Sequence, residues 1–127
     1  ASISLDDVDF VNAHGTATPL NDKAEAAAIG ALFPEELPVL STKAYTGHLL
    51  GGASAVEAAI SAICLEEGLL PPALGLEPRD PEISISILEK GAQGCELEVA
   101  LSNSFAFGGN NVSLLLGHGR GGREARW

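Results

Sequence analysis

Twice in this chain a short apolar run gives way to a glycine-flanked histidine turn, and each turn is followed by an alanine-rich helical pattern. A strand that feeds a turn and then a helix, repeated, leaves few options beyond layered α/β packing. The first run, Val8 to Asn12, reads as a buried strand delivering His14-Gly15 to a turn. Pro19 and Asn21 punctuate the loop after it, and Asp22 and Glu25 stand at capping-box spacing. Ala24, Ala26, Ala27, Ala28, Ile29, Ala31 and Leu32 then favour helix until Pro34 bars it, so the pattern predicts one helix from Asp22 to Phe33. The second run, Val39 to Thr42, leads into a polar turn from Lys43 through Gly52 around His48. A longer helix comes next, with Ala53, Val56, Ala59, Ile60 and Ile63 on one face, closing at Gly68. Its start stays open between Ala55, given the capping-box spacing of Ser54 and Glu57, and an earlier turn capped by Thr46.

Pro71 to Arg79 reads as an extended connection, and Ile83, Ile85 and Ile87 alternate with Ser84, Ser86 and Leu88 as a half-buried strand does. Glu96 to Ser102 and Asn111 to Leu116 are two further strands forming a terminal hairpin around residues 103–110. The expectation is an α/β fold, a mixed sheet with packed helices, over residues 1–117, with 118–127 a flexible Gly/Arg tail. Ala1 stands only a few residues before a strand that reads as buried, with no preceding helix to cover its sheet. A part of a larger fold is therefore expected.

Asp and Glu outnumber Lys and Arg by 17 to 7, and Lys23, Lys43, Arg79 and Lys90 are scattered, which argues against a nucleic-acid partner. Arg120, Arg123 and Arg126 cluster only in the tail. No run approaches the length of a membrane span and no signal peptide is visible, so no membrane insertion and a cytoplasmic location are expected. Cys64, in a helical pattern, and Cys95, near a strand, do not form a disulfide framework and are expected to be reduced.

His14 and His48 are the candidates for chemistry, because turns over a rigid sheet are where side chains are held for function. His14, His48, His118, Cys64 and Cys95 lack the paired spacings of a closed zinc site, so no metal is expected. Neither a Gly-x-Ser-x-Gly elbow nor a phosphate-loop lysine beside Gly108-Gly109 is present. On residues alone Lys43 reads as a surface lysine, Glu57 as a helix cap, and residues 103–110 as a hairpin turn.

Three segments carry more than this. Asn12-Ala13-His14-Gly15-Thr16-Ala17-Thr18-Pro19, the stretch Ser41-Thr42-Lys43-Ala44-Tyr45-Thr46-Gly47-His48-Leu49-Leu50-Gly51, and Asn103-Ser104-Phe105-Ala106-Phe107-Gly108-Gly109-Asn110-Asn111 occur in this order. Together they resemble the ordered motifs of the β-ketoacyl-acyl-carrier-protein synthases. The resemblance implies a thiolase-like layered fold, with this chain as the latter part of its C-terminal half. It also implies a reaction in which a cysteine of the N-terminal half holds the acyl chain as a thioester while malonyl-carrier loses carbon dioxide and the enolate attacks. By their match to the family motifs, His14 and His48 would donate to the enolate oxygen. Lys43 and Glu57 would pair and support the histidines, and Thr16 and Thr18 would touch the phosphopantetheine arm. Phe107 would be the gating phenylalanine, with Phe105, Gly108 and Gly109 shaping the substrate-binding loop. No cofactor is implied. The partners implied are the acyl carrier protein, the N-terminal half of the enzyme, and a second subunit, since the family forms homodimers or heterodimers. Neither Cys64 nor Cys95 lies in the strand-to-helix turn of the family's nucleophile, so the chain alone is expected to be inert. Asn110 stands for the usual threonine, and Ala106 and Ser54 for common glycines; Ala106 restricts the loop more than glycine would. The alternative is a non-catalytic partner resembling the chain-length factors, against which the intact His14, Lys43 and His48 speak.

Overall fold

The computed structural model of the protein describes residues 3–118. The Gly/Arg tail beyond His118, with Arg120, Arg123 and Arg126, lies outside them. In chain order the regular elements are β1 (Phe10–Asn12), α1 (Pro19–Leu32), β2 (Val39–Leu40), α2 (Lys43–Thr46), α3 (Ala53–Glu67), β3 (Leu69–Leu70), β4 (Ala92–Gln93), β5 (Val99–Ala106) and β6 (Asn110–Gly117). Four strands form one sheet in the order β2-β1-β5-β6. β1 runs parallel to both β2 and β5, and β5 pairs antiparallel with β6. The mixed sheet expected from the alternation is present. β3 and β4 make a separate two-stranded ribbon.

Successive side chains of a strand point to opposite faces, and the two faces of this sheet carry two apolar clusters. Phe10, Leu40 and Ala100 pack with Cys64 and Leu65 of α3 on one face. On the other, Val11 and Val39 pack with Ile29 of α1 and with Leu37. Phe10 and Val11 are fully buried, one on each side. Burial of an aromatic side chain of this kind contributes about 2–3 kcal/mol. Helices therefore cover both faces, as short parallel strands buried on both sides require.

Several elements differ from expectation at their boundaries. α1 starts at Pro19, not Asp22, because proline suits the first helical position, where its missing N–H is no loss. α3 starts at Ala53 with Gly52 as N-cap, and neither Ser54 nor Thr46 caps it. Its buried residues are Ala53, Glu57, Ser61, Cys64 and Leu65, whereas Ile63 is exposed. The face of α3 toward the sheet is thus rotated from the one expected and is polar near its N-terminal end. α3 does close at Gly68, whose φ of 61° is left-handed and where a Cβ would come within 2.5 Å of the Cys95 carbonyl oxygen. Ile83, Ile85 and Ile87 form no strand; only an isolated bridge between Val39 and Ile87 survives of that pattern. The β5–β6 hairpin extends through Asn103–Ala106, which the sequence pattern assigns to a loop, so its turn is only Phe107 to Gly109. Cys64 and Cys95 are free thiols that share the α3-side cluster, closer in setting than their sequence contexts imply. No helix among the described residues is long and apolar enough to cross a membrane.

Candidate functional site

From β1 the chain leaves by α1 on one face of the sheet, and from β2 it leaves by α3 on the other, before returning to β5 on the far side of β1. At such a switch point the connections diverge and leave a crevice at the carboxyl ends of the strands. His14 stands just past the end of β1, Lys43 just past β2, and Asn103 and Phe105 in the last half of β5.

The His14 turn is clamped from α1. The Glu25 carboxylate accepts the His14 N–H at 2.9 Å through Oε1 and the Gly15 N–H at 3.0 Å through Oε2. Asn103 Nδ2 donates to the same Oε1 at 3.1 Å, and Ser113 Oγ donates to Asn103 Oδ1 at 2.8 Å. Glu25 is therefore no helix cap: with α1 starting at Pro19 it lies in the second turn and ties the turn to the β5–β6 hairpin. Gly15, at φ +40°, crosses the second histidine turn so closely that a Cβ would sit 2.6 Å from Ser41 Cβ. Ser41 Oγ donates to the Gly15 carbonyl at 3.2 Å, joining the two turns.

His48 lies opposite, exposed, its ring edge-on to His14 with centroids 5.6 Å apart and planes at 88°. The Leu50 N–H donates to His48 Nδ1 at 3.1 Å, with Leu50 itself in the left-handed region at φ +52°. An imidazole nitrogen that accepts a backbone N–H carries no proton, so neutral His48 holds its hydrogen on Nε2. His14 is buried, and its Nδ1 has no partner among the described residues. Burial foremost, with the charge of Lys43 and the neighbouring His48 and against the opposing Asp22, lowers the His14 pKa to about 4. Near neutral pH His14 is thus uncharged. The Phe105 ring rests against it at 5.3 Å.

Behind the histidines Lys43 and Glu57 form an ion pair with side chains only 5% and 2% exposed. The readings of Lys43 as a surface residue and of Glu57 as a cap are both overturned: α2 turns Lys43 inward, and Glu57 lies on the buried stripe of α3. Glu57 Oε2 is left without a partner among the described residues. A cavity of about 370 Å³ beside this group is lined by Thr16, Ser41, Lys43 and His48 and by apolar residues such as Ile29 and Ile85.

His14, His48, Lys43, Glu57 and Phe105 are thus brought together. Thr16 and Thr18 flank Ala17, which is forced to φ +58°, and their hydroxyls lie 2.9 Å apart at the rim. Phe107 is 99% exposed at the hairpin tip, where Gly108 and Gly109 turn the chain at φ +82° and +80°. The ring beside His14 is Phe105. An uncharged His14 and a His48 whose Nδ1 is occupied by a backbone N–H both keep a ring N–H that can stabilise charge developing on an oxygen between them. Sequence reasoning missed Glu25 and Ser41 as parts of this site. The spacing of Asp22 and Glu25 looks like a cap, and Ser41 carries no signal apart from its motif.

Comparison with known proteins identifies the family and the fold. Residues 1–77 match the family model described as "Beta-ketoacyl synthase, C-terminal domain". A 3-oxoacyl-[acyl-carrier-protein] synthase 2 from Synechocystis sp. is 43% identical over 110 residues, covering 84% of this chain and 26% of that protein. The crystal structure of a β-ketoacyl synthase from Burkholderia phymatum superposes with a TM-score of 0.84 at 37% identity, over 91% of this chain and 28% of the other. A chain from a ketosynthase in complex with its chain length factor, from Xenorhabdus doucetiae, superposes with a TM-score of 0.81 at 40% identity, over 92% of this chain and 30% of the other. These likenesses bear out the thiolase-like layered fold. The chain spans between a quarter and a third of the length of the relatives it matches. It belongs to the β-ketoacyl synthase family and corresponds to that family's C-terminal domain.

Proposed function

We propose that this chain supplies the enolate-forming side of a β-ketoacyl-acyl-carrier-protein synthase. The whole protein would take an acyl chain on a cysteine of its N-terminal half, decarboxylate malonyl-carrier, and join the two in fatty-acid or related polyketide or polyene synthesis in the cytoplasm. The observation that carries this reading is the edge-to-face pair of His14 and His48, with His14 kept neutral by burial and Lys43. As carbon dioxide leaves, the electron pair of the breaking C–C bond becomes the enolate and charge grows on the thioester oxygen. His48 donates from Nε2 and His14 from its free edge, and these bonds strengthen as that charge grows. An uncharged imidazole such as that of His14 suits the task, since it donates without having to release a proton.

Lys43 and Glu57 hold a fixed charge pair behind the histidines. Thr16 and Thr18, at the rim, suit the polar phosphopantetheine arm of an acyl carrier protein. Phe107, exposed on the hairpin, suits a gate that closes on substrate, with Phe105, Gly108 and Gly109 shaping its base. A second subunit, identical or a chain-length factor, would complete the assembly. The retained His14, Lys43 and His48 favour the catalytic role for this chain over that of the non-catalytic factor.

The test is carbon dioxide release from malonyl-carrier by the full-length protein and by its His14→Ala and His48→Ala variants. Each variant is expected to lose about a hundredfold or more in rate. Rates near wild type in both would overturn the reading.

A further inference from the structure

We propose that Asn12 is a positioning residue for the decarboxylation assigned to the two histidines: its side chain fixes the Lys43–Glu57 pair relative to the strand that ends in His14. The inference rests on that assignment and adds a residue to it. Asn12 is 1% exposed, the last residue of β1, and faces α3 on the same side of the sheet as Phe10. Its Oδ1 accepts the backbone N–H of Thr42 at 3.3 Å, which settles the orientation of the amide, since only an oxygen can accept there. Its Nδ2 lies 3.1 Å from Ser61 Oγ, 3.3 Å from the Glu57 carbonyl oxygen and 3.3 Å from Thr42 Oγ1. Ser61 Oγ donates its own hydrogen to the Glu57 carbonyl at 2.8 Å, so it meets Asn12 as an acceptor.

One amide thus bridges the backbone of Glu57 and the backbone of Thr42, the residue before Lys43. Those are the anchors of the two charged side chains that pair behind the site, and His14 is two residues further along the chain from Asn12. Packing alone gives no reason for an amide here. Of its strand neighbours on this face Phe10, Leu40 and Ala100 are apolar, only the buried Ser102 paired with Asn12 on β5 is polar, and a buried amide is costly unless satisfied. The acceptor and both donor hydrogens of Asn12 have partners beyond its own strand, an arrangement that defines distances among them instead of merely filling space. A shift of the pair by even an ångström changes the field at His14 and the room around it, and displacements of that size cost about 10- to 100-fold in rate.

The experiment is a double-mutant cycle in the full-length protein, with malonyl-carrier decarboxylation as the readout. Asn12→Leu is expected to lower the rate about 10- to 100-fold in the wild-type background, but less than about threefold once His14 is already alanine, because the residue acts through that site. Equal losses in both backgrounds, as general destabilisation would give, or a rate within twofold of wild type, would overturn the proposal. If circular dichroism shows that Asn12→Leu does not fold, Thr42→Val and Thr42→Ser decide. The hydroxyl-bearing serine should keep the rate while valine loses it, and equal rates would refute the network's role. An unimpaired His14→Ala variant would instead bring down the histidine assignment, and this proposal with it.

Discussion

His14 and His48 are set in place by different means. His48 is exposed, and a backbone N–H from Leu50 fixes its tautomer; His14 is buried, and desolvation with the charge of Lys43 holds its pKa at about 4. Because the folded value lies below the ordinary 6.5, the unfolded chain binds the extra proton between those two pH values. His14 therefore contributes stability that is fully present above about pH 6.5 and is lost as pH falls toward 4. Histidine-selective NMR on the full-length protein should find a His14 midpoint near 4; a midpoint near 6.5 would contradict the burial argument. Glu25 makes a second prediction at this scale. Its carboxylate satisfies two backbone N–H groups and the Asn103 amide, and Glu25→Ala would strand them at about 1–3 kcal/mol each. Thermal melting should show a loss of several kcal/mol in Glu25→Ala and a smaller one in Glu25→Gln, which keeps an acceptor. Equal stability of both variants with wild type would show that the clamp is idle.

Among the elements, the two histidine turns stand or fall by how closely they cross. Gly15→Ala puts a Cβ 2.6 Å from Ser41 Cβ and asks alanine to hold φ +40°, so it should destabilise the protein and abolish decarboxylation. Ser41→Gly removes the atom that clashes. Adding it to Gly15→Ala should recover part of the stability, while no recovery would show that backbone conformation alone sets the cost. Much of this level was legible in the sequence. Strands into β1, β2 and the terminal hairpin, the proline-bounded first helix and the glycine that closes α3 all follow from local rules. The α3 face was not, because Glu57 and Ser61 occupy the buried stripe and an apolar pattern cannot register polar residues that are buried to serve a site. Nor was the role of Glu25, whose spacing from Asp22 imitates a cap. The alternation from Ile83 to Ile87 promises a strand, yet only one bridge forms there, with Val39.

For the whole molecule, the matching turns single out His14 and His48 without any motif, whereas roles for Lys43 and Glu57 follow only from the family resemblance, since each alone has an ordinary structural use. What no motif conveyed is that Lys43 and Glu57 are buried together, because burial depends on how α2 and α3 fold over the sheet. The described residues also lack a thiol suited to hold an acyl group: Cys64 is buried, with its pKa raised by desolvation, and Cys95 is half-buried in the same cluster. Cys64→Ala and Cys95→Ala in the full-length protein should leave the rate of condensation within a few-fold of wild type; loss of acyl-enzyme formation in either would reassign the nucleophile. The central claim is that His14 and His48 stabilise charge on one and the same oxygen. Decarboxylation by the full-length protein, measured for wild type, His14→Ala, His48→Ala and the double variant, tests it most directly. Groups that act as a unit lose their effects non-additively. Each single change should cost about a hundredfold or more, with the double variant within about tenfold of the worse single; a single variant at wild-type rate, or costs that simply multiply, would contradict it.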